Sequence, residues 1–154
     1  MKKPADISVR RMELKDIPKI VALGEKLFTA ENLPLLYRTW DEPEVLNLYS
    51  GDAEFCLVAV SGRQLVGFTL GTFMERPNGG GYGWLNWIGV ASRHRRRGTA
   101  RKLIDALAAQ FRAAGADFLL VDTDESNEAA ARLFANSKFG EQTRHIYFAR
   151  RLSK

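Results

Sequence analysis

With 154 residues, 45% of them hydrophobic and 27% charged, the chain has the size and composition of one soluble globular domain, which excludes a disordered polypeptide. A single cysteine, Cys56, excludes an internal disulfide and a cysteine-rich zinc site; no apolar run reaches the roughly 20 residues of a membrane span or has the form of a secretory leader, so a cytoplasmic protein is expected. The net charge of +5 comes from 23 Lys and Arg against 18 Asp and Glu, and residues 93–102 hold six of those basic residues and no acidic one, so the excess is local.

Residues 6–11 (DISVRR) alternate apolar and polar and predict a short first strand. Ile17, Ile20, Val21, Leu23 and Leu27 then recur near helical spacing, with Pro18 tolerated in the first turn. Residues 31–43, with two prolines and two aromatics, predict a structured loop, followed by a short helix from Glu42 to Ser50. EFCLVAV, a turn at Ser61-Gly62-Arg63 and QLVGFTLGTF predict an antiparallel hairpin, in which Cys56 is a buried structural thiol. The glycine-rich bend PNGGGYG leads into WLNWIGV, a further strand over 84–90. Its Trp84 and Trp87 alternate with Leu85 and Ile88, so one face belongs to the core and the other to a cleft.

Ala100, Leu103, Ile104, Leu107, Ala108, Phe111 and Ala114 form a continuous apolar stripe, the clearest helix of the chain, with Gly115 placed to end it. DFLLVDT (117–123) is a nearly unbroken apolar run of the kind buried on both faces in a parallel pairing. SNEAAARLFANS predicts a second short helix capped by Ser126 or Asn127, and residues 139–152 predict one or two closing strands. The alternation of strands and helices indicates an α/β fold with a mixed sheet.

The junction between strand 84–90 and the long helix carries the chemistry. A helix N-terminus presents unpaired N–H groups and the positive end of a dipole, so it attracts anions. Gly98 lets a phosphate approach the backbone, small Ala100 keeps the approach open, and the arginines add forked donors. The Walker pattern and the dinucleotide-binding glycine pattern are both absent. Nucleic-acid binding would call for basic residues spread along a face with interleaved aromatics, which this segment lacks. The junction suits a diphosphate-bearing cofactor.

Arg95-Arg96-Arg97-Gly98-Thr99-Ala100 matches the acyl-CoA signature [Q/R]-x-x-G-x-[G/A], with Val90 five residues ahead and Leu103 three residues after it. Asn127, Ala130, Leu133, Phe134 and Phe139 match most of a second motif. On these residues the sequence resembles the GNAT superfamily of N-acetyltransferases. The resemblance implies a mixed, mostly antiparallel sheet of six to seven strands with about four helices, and a central strand pair, 84–90 and 117–123, that splays to admit acetyl-CoA as cosubstrate. It implies cofactor contacts at Ile88, Val90, Arg95, Arg96, Arg97, Gly98, Thr99, Ala100, Asn127 and Phe134, with Arg96 and Arg97 as the foremost side-chain partners. The Val90 backbone N–H would be the oxyanion donor for direct attack by a primary amine of a protein, peptide or small molecule. A homodimer is among the assemblies the resemblance implies, whereas nucleic acid, membrane and metal are not.

The chain departs from the family where acid and base are expected. Phe134 stands where many relatives have a tyrosine, Lys138 where they have a glycine, and Trp84 where one subgroup has a glutamate. Tyr147, Ser137 and Asn136 remain as acids and Glu75, Asp122 and Asp124 as bases, with none assigned. His94 reads as solvated or within reach of phosphate, and His145 as an exposed residue of the closing strand rather than a base. Tyr37, Arg38 and Trp40 belong to a loop that forms the acceptor wall or the core, and acidic Glu31, Asp41, Glu42 and Glu44 suit a cationic acceptor or a solvated surface. A catalytically silent acyl-CoA-binding module is the alternative from another class, and a nucleic-acid-binding domain the more distant one.

Overall fold

The computed structural model describes residues 6–29, 31 and 38–152. Alternating apolar residues make β1 (Ile7–Arg11), and a turn of 3-10 helix leads into α1 (Ile17–Leu27), where Pro18 occupies the first turn and loses no hydrogen bond. Helix α2 (Glu42–Asp52) starts at Asp41, whose Oδ1 accepts from the Glu44 N–H at 2.8 Å. The hairpin of β2 (Cys56–Ser61) and β3 (Gln64–Glu75) turns at Gly62, which has a φ of 61°. Next come β4 (Gly81–Val90), α3 (Thr99–Ala113), β5 (Ala116–Leu120) and α4 (Glu128–Ala135). Gly115, with φ 89°, follows α3 as predicted.

The strands lie in the order β1-β2-β3-β4-β5, antiparallel except for the parallel pair β4–β5. Against β3 the register of β4 slips by one residue, so Leu70 faces Trp87 and Gly71 faces Leu85, leaving Asn86 as a bulge. A one-residue insertion inverts which side chains face which layer. Gly83 and Leu85 therefore face α3, whereas after the bulge Trp87 and Gly89 face α1 and α2, and Ile88 and Val90 face α3. The grouping of Trp84 with Trp87 against Leu85 with Ile88 holds only because of that bulge. Thr72 Oγ1 and Asn86 Oδ1, 2.8 Å apart, pin it.

Each face carries its own core. On one, Leu57, Val66, Leu85, Leu103, Leu107 and Phe111 are buried under α3; on the other, Ile17, Ile20, Val45, Val58, Phe68, Leu70 and Trp87 are buried under α1 and α2. Phe111 stacks on Phe55 at 4.3 Å and packs onto the sheet over Gly71 and Gly83, which have no side chain; a Cβ at Gly83 would collide with its ring. Trp40 sits in a notch made by Gly24, donates Nε1–H to Val21 O at 3.0 Å, stacks on Phe68 and meets Trp87 edge-on. Cys56 is fully buried, and burial pushes its thiol up to about 12, in keeping with a structural role.

Three expectations need correcting. The glycine bend is shorter than PNGGGYG: β4 begins at Gly81, because Gly81 and Gly83 are needed within the strand, against the Met74 carbonyl and the Phe111 ring. Strand 117–123 is parallel to its neighbour as expected but spans only 116–120 and is not covered on both faces, since Phe118 and Leu120 are exposed. The sheet has five strands among the described residues, not six to seven, because residues 139–152 join no ladder. The count of four α-helices and the splay hold: the β4–β5 pairing stops at Trp84–Leu120, and β4 runs on alone for Leu85–Val90.

Asp16 is buried and takes two bonds from Arg10, at 2.7 and 3.0 Å, plus the Glu13 N–H at 2.8 Å. The Arg10 guanidinium and then the Glu13 amide hold its carboxyl below its ordinary value of 3.8, against the opposing effect of burial. A depressed carboxyl contributes stability that is full above its unfolded pKa and lost as pH falls through the folded one. Asp16→Asn is expected to cost about 2–3 kcal/mol at pH 7 and to remove part of the acid sensitivity of the wild type below pH 4, as read by urea melts at pH 7 and pH 3.

Candidate active site

The end of β4 and the start of α3 build the site together. After Val90 a 3-10 turn at Ser92–His94 reverses the chain, and Gly98 caps α3 with a φ of 75°, a value that L-residues adopt only at a cost. Within 4 Å of where a Gly98 Cβ would stand there is nothing, so the missing side chain leaves open space directly over the helix start. The first amide of the helix with an internal acceptor is that of Lys102, bonded to Gly98 O at 2.9 Å, so those of Thr99, Ala100 and Arg101 precede the ladder. Arg96 also takes a positive φ, 57°. Two such residues in three place successive N–H groups along a concave loop, the arrangement that binds anions.

A depression of about 170 Å³ lies here, lined by Val90, His94, Arg95, Arg96, Gly98, Thr99, Ala100, Arg101 and Leu133. It unites six of the ten cofactor contacts that the resemblance implies. Arg97, expected to be a leading side-chain partner, is not among them, and Arg95 is: its Nε donates to Val90 O at 3.4 Å. Lys102 turns away to β1, where Nζ reaches Ile7 O at 3.1 Å and Asp6 at 3.6 Å. His94, read as solvated, is half-buried, and its Nδ1 is buried without a partner on the wall of the depression. Leu133, known only as a motif match, brings α4 to the same wall.

The backbone of β4 completes the site. Ala91 N–H donates to Val66 O at 2.8 Å, and hydrogen-bonded pairs alternate along an antiparallel ladder. Val90, opposite Gly67, and Ile88, opposite Thr69, therefore turn their N–H and C=O groups away from β3 and into the gap that β5 leaves. An open strand edge of this kind accepts an extended amide-bearing chain. The free edge, the glycine-capped helix start and the arginines fit an extended ligand that ends in a diphosphate.

On α4, the Asn127 side chain accepts from the Ala130 N–H at 3.2 Å, so Asn127 rather than Ser126 is the cap. Phe134 is buried edge-on against Phe139, 5.5 Å between ring centres. Lys138 has a φ of 68°, which explains a glycine at this position in relatives. Among the acid and base candidates, Glu75 pairs with Gly81 at the far end of β4, about 30 Å of strand from Val90. Asp124 accepts from the Ser126 hydroxyl and amide, which hold its carboxyl low and tie it to the turn before α4. Tyr147 donates to Asp122 Oδ2 at 3.3 Å beyond the end of β5, and Ser137 is buried with its hydroxyl unpartnered. His145 is exposed, as read from the sequence.

A second cavity of about 370 Å³ opens on the other face of the sheet, lined by Arg38, Thr39, Asp41, Pro43, Glu44 and Asn47. It is tied to β4, because Trp87 Nε1 donates to Glu44 Oε1 at 2.9 Å and the Arg38 guanidinium lies 4.6 Å over the Trp87 ring. Arg38 thus lines the wall and rests on the core, Trp40 belongs to the core, and Tyr37 lies outside the described residues. Among the described residues no group of His, Cys, Asp and Glu could hold a metal, and no helix is long and apolar enough to cross a membrane.

A sheet split beside a glycine-capped, arginine-rich helix start defines the class of acyl-CoA-dependent acyltransferases. Residues 25–140 match the Acetyltransferase (GNAT) family, and the chain belongs to that family. Its members are acyl-CoA-dependent N-acetyltransferases with acetyl-CoA as cosubstrate. No curated protein sequence matches the chain. Similar solved structures include AAC(6')-Iy in complex with the bisubstrate analogue CoA-S-monomethyl-acetylneamine, 18% identical, TM-score 0.76, covering 96% of this chain and 99% of that one. An aminoglycoside acetyltransferase from an uncultured soil metagenomic sample, in complex with trehalose, is also 18% identical, with TM-score 0.75 and coverage of 96% and 97%. A ribosomal-protein-alanine N-acetyltransferase from Brucella melitensis biovar Abortus 2308 is 19% identical, with TM-score 0.72 and coverage of 95% and 99%.

Gly98→Ala places a methyl group in the cradle and demands a conformation costing an L-residue roughly 1–2 kcal/mol. The dissociation constant for acetyl-CoA is expected to rise at least about tenfold, from that strain and the lost approach together, while the protein stays folded. Isothermal titration beside an unliganded melt checks this, and an unchanged affinity would remove the loop from cofactor binding.

Proposed function

We propose that this chain transfers the acetyl group of acetyl-CoA to a primary amine of a small cationic acceptor, by direct attack in a ternary complex. The observation that carries the reading is the free edge of β4 over Leu85–Val90 running straight into the glycine-capped start of α3. Acetyl-CoA, when bound, supplies a thioester carbonyl that an amine can attack. The amides from Arg95 to Ala100, with Arg95 and Arg96, hold the diphosphate, and the main-chain groups of Ile88 and Val90 pair with the amide-bearing arm. The Val90 N–H, turned into the gap, stabilises the oxygen on which negative charge develops; a donor of this type is worth about 10²–10³ in rate.

The acceptor enters from the opposite face, through the cavity walled by residues 38–47. Glu44, fixed by Trp87, and Asp41 attract an ammonium there, and the amine loses its proton to water before attack. The carbon–nitrogen bond forms as the carbon–sulfur bond breaks, and the departing thiolate needs one proton. Phe134 has none to give. Tyr147 has one, on a hydroxyl held by Asp122 beyond the end of β5. Asn127 and Phe134 act on this side as the cap and the apolar wall of α4.

Release of free thiol from acetyl-CoA, followed over an aminoglycoside, a polyamine and an alanine-terminated peptide, tests the reading. Turnover is expected with the two small polycations above the peptide. Cofactor binding without turnover on any amine makes the chain a silent acyl-CoA-binding module instead. Glu44→Gln is expected to raise the acceptor KM about tenfold or more while the affinity for acetyl-CoA stays the same. Tyr147→Phe is expected to lower kcat about 10–100-fold with both KM values little changed, at the low end of acid catalysis because a thiolate leaves readily. Steady-state kinetics on the best acceptor measures both.

A further inference from the structure

One side chain of the second cavity does not suit a ligand that is cationic throughout. Arg38 stands on the same wall as Asp41 and Glu44, with the neutral polar Thr39 and Asn47 among them. A wall shaped only to draw in a polycation would hold no guanidinium, because like charges brought together at a binding surface repel. Arg38 therefore calls for an anionic group on the acceptor.

The ring that fixes Glu44 also fixes Arg38. The Trp87 indole is 4% exposed; from its edge it donates Nε1–H to Glu44 Oε1 at 2.9 Å, and over its face lies the Arg38 guanidinium, 4.6 Å away. The ring is itself wedged between Phe28 and Trp40, at 4.8 and 5.0 Å between centroids. One buried side chain thus sets the positions of a carboxylate and a guanidinium. Groups ordered before a ligand arrives lose less freedom when it binds. The Trp87 bond engages Oε1 of Glu44 and the Glu44 amide engages Oδ1 of Asp41, so each carboxylate keeps an oxygen outside those bonds.

On the proposed acetyl transfer to an acceptor that enters through this cavity, we infer that the acceptor is a diamino monocarboxylic acid. Arg38 grips its carboxylate, and Glu44 and Asp41 face its ammonium groups. The charges match as well as the groups. One guanidinium and two carboxylates leave the wall with a single negative charge, and two ammonium groups and one carboxylate leave the acceptor with a single positive one. A guanidinium presents paired N–H donors at the spacing of two carboxylate oxygens, so Arg38 recognises that group and not charge alone. A cavity of about 370 Å³ lies at the small end of ligand sites, which suits a molecule of amino-acid size. One amine, deprotonated, forms the carbon–nitrogen bond as the carbon–sulfur bond breaks, and the further proton it then sheds balances the one the thiolate takes up.

Lysine and cadaverine, which differ only by the carboxyl group, are the probes, with thiol release from acetyl-CoA as the readout. The kcat/KM for lysine is expected to exceed that for cadaverine about tenfold or more. Arg38→Gln is expected to raise the KM for lysine about 10–100-fold and to leave that for cadaverine unchanged or lower, with the melting shift by acetyl-CoA retained. Should that variant fail to fold, Arg38→Lys, which keeps the charge but not the fork, makes the same comparison with a smaller loss. Cadaverine turned over as well as lysine by the wild type overturns the proposal and leaves a small cationic acceptor standing. An Arg38 variant that impairs both substrates alike reduces Arg38 to packing on Trp87 and overturns it too. Turnover of neither amine, with acetyl-CoA bound, overturns it; turnover of an aminoglycoside in the same assay would then keep the small cationic acceptor, and its absence would remove that reading as well.

Discussion

β4 has two neighbours for less than half of its length. It is ten residues long, and β5 accompanies it only from Gly81 to Trp84. Main-chain donors and acceptors deep in a sheet are normally all paired, so an unaccompanied stretch in the middle of one persists only if the rest of the fold holds it open. Here the bulge at Asn86 does so. By inverting the facing of Trp87 through Val90, it sends Trp87 into the core under α1 and α2 and sets Ile88 and Val90 beneath α3. Both faces of the free segment are then anchored while its edge stays bare.

The anchors are aromatic, and they depend on absent side chains. Phe111 covers Gly71 and Gly83, and Trp40 fills the notch at Gly24. Each ring fixes one layer of helix to the sheet at a stated distance, and each leaves no slack for even one methyl group. α3 is in this way held so that its capped N-terminus meets the end of β4. The loop at the start of α3 therefore needs no rigid side chain of its own. Its shape comes from three backbone features: the positive φ of Gly98, that of Arg96 and the orphan amides of the first helical turn.

Much of this was legible in the chain. Apolar periodicity located α1 and α3 and alternation located β1, whereas β2 and β3, buried on both faces, were legible as two apolar runs either side of the Ser61-Gly62-Arg63 turn and α4 through its cap. The arginine-glycine loop could be read because a helix start that binds phosphate needs both residue types close together. Single-sequence patterns did not reveal the bulge, since Asn86 looks like an ordinary outward residue until β3 is laid beside it. They overstated β5, whose apolar run suggested cover on both faces, and they could not tell Arg95 from Arg97, because which arginine turns inward depends on the twist of the loop. The partnerless Nδ1 of His94 and the tie between Trp87 and Glu44 depend on contacts between distant segments and leave no local signal.

The bond from Trp87 to Glu44 crosses from the sheet to the helix that walls the second cavity, on the face away from the cradle. The two cavities thus share one strand but not one layer of side chains. Substitutions on residues 38–47 act through α2 and the aromatic cluster, and those on 95–100 through the start of α3. On the proposed function, such a division lets the acceptor range diverge along a lineage while the machinery that presents the acetyl group is inherited unaltered.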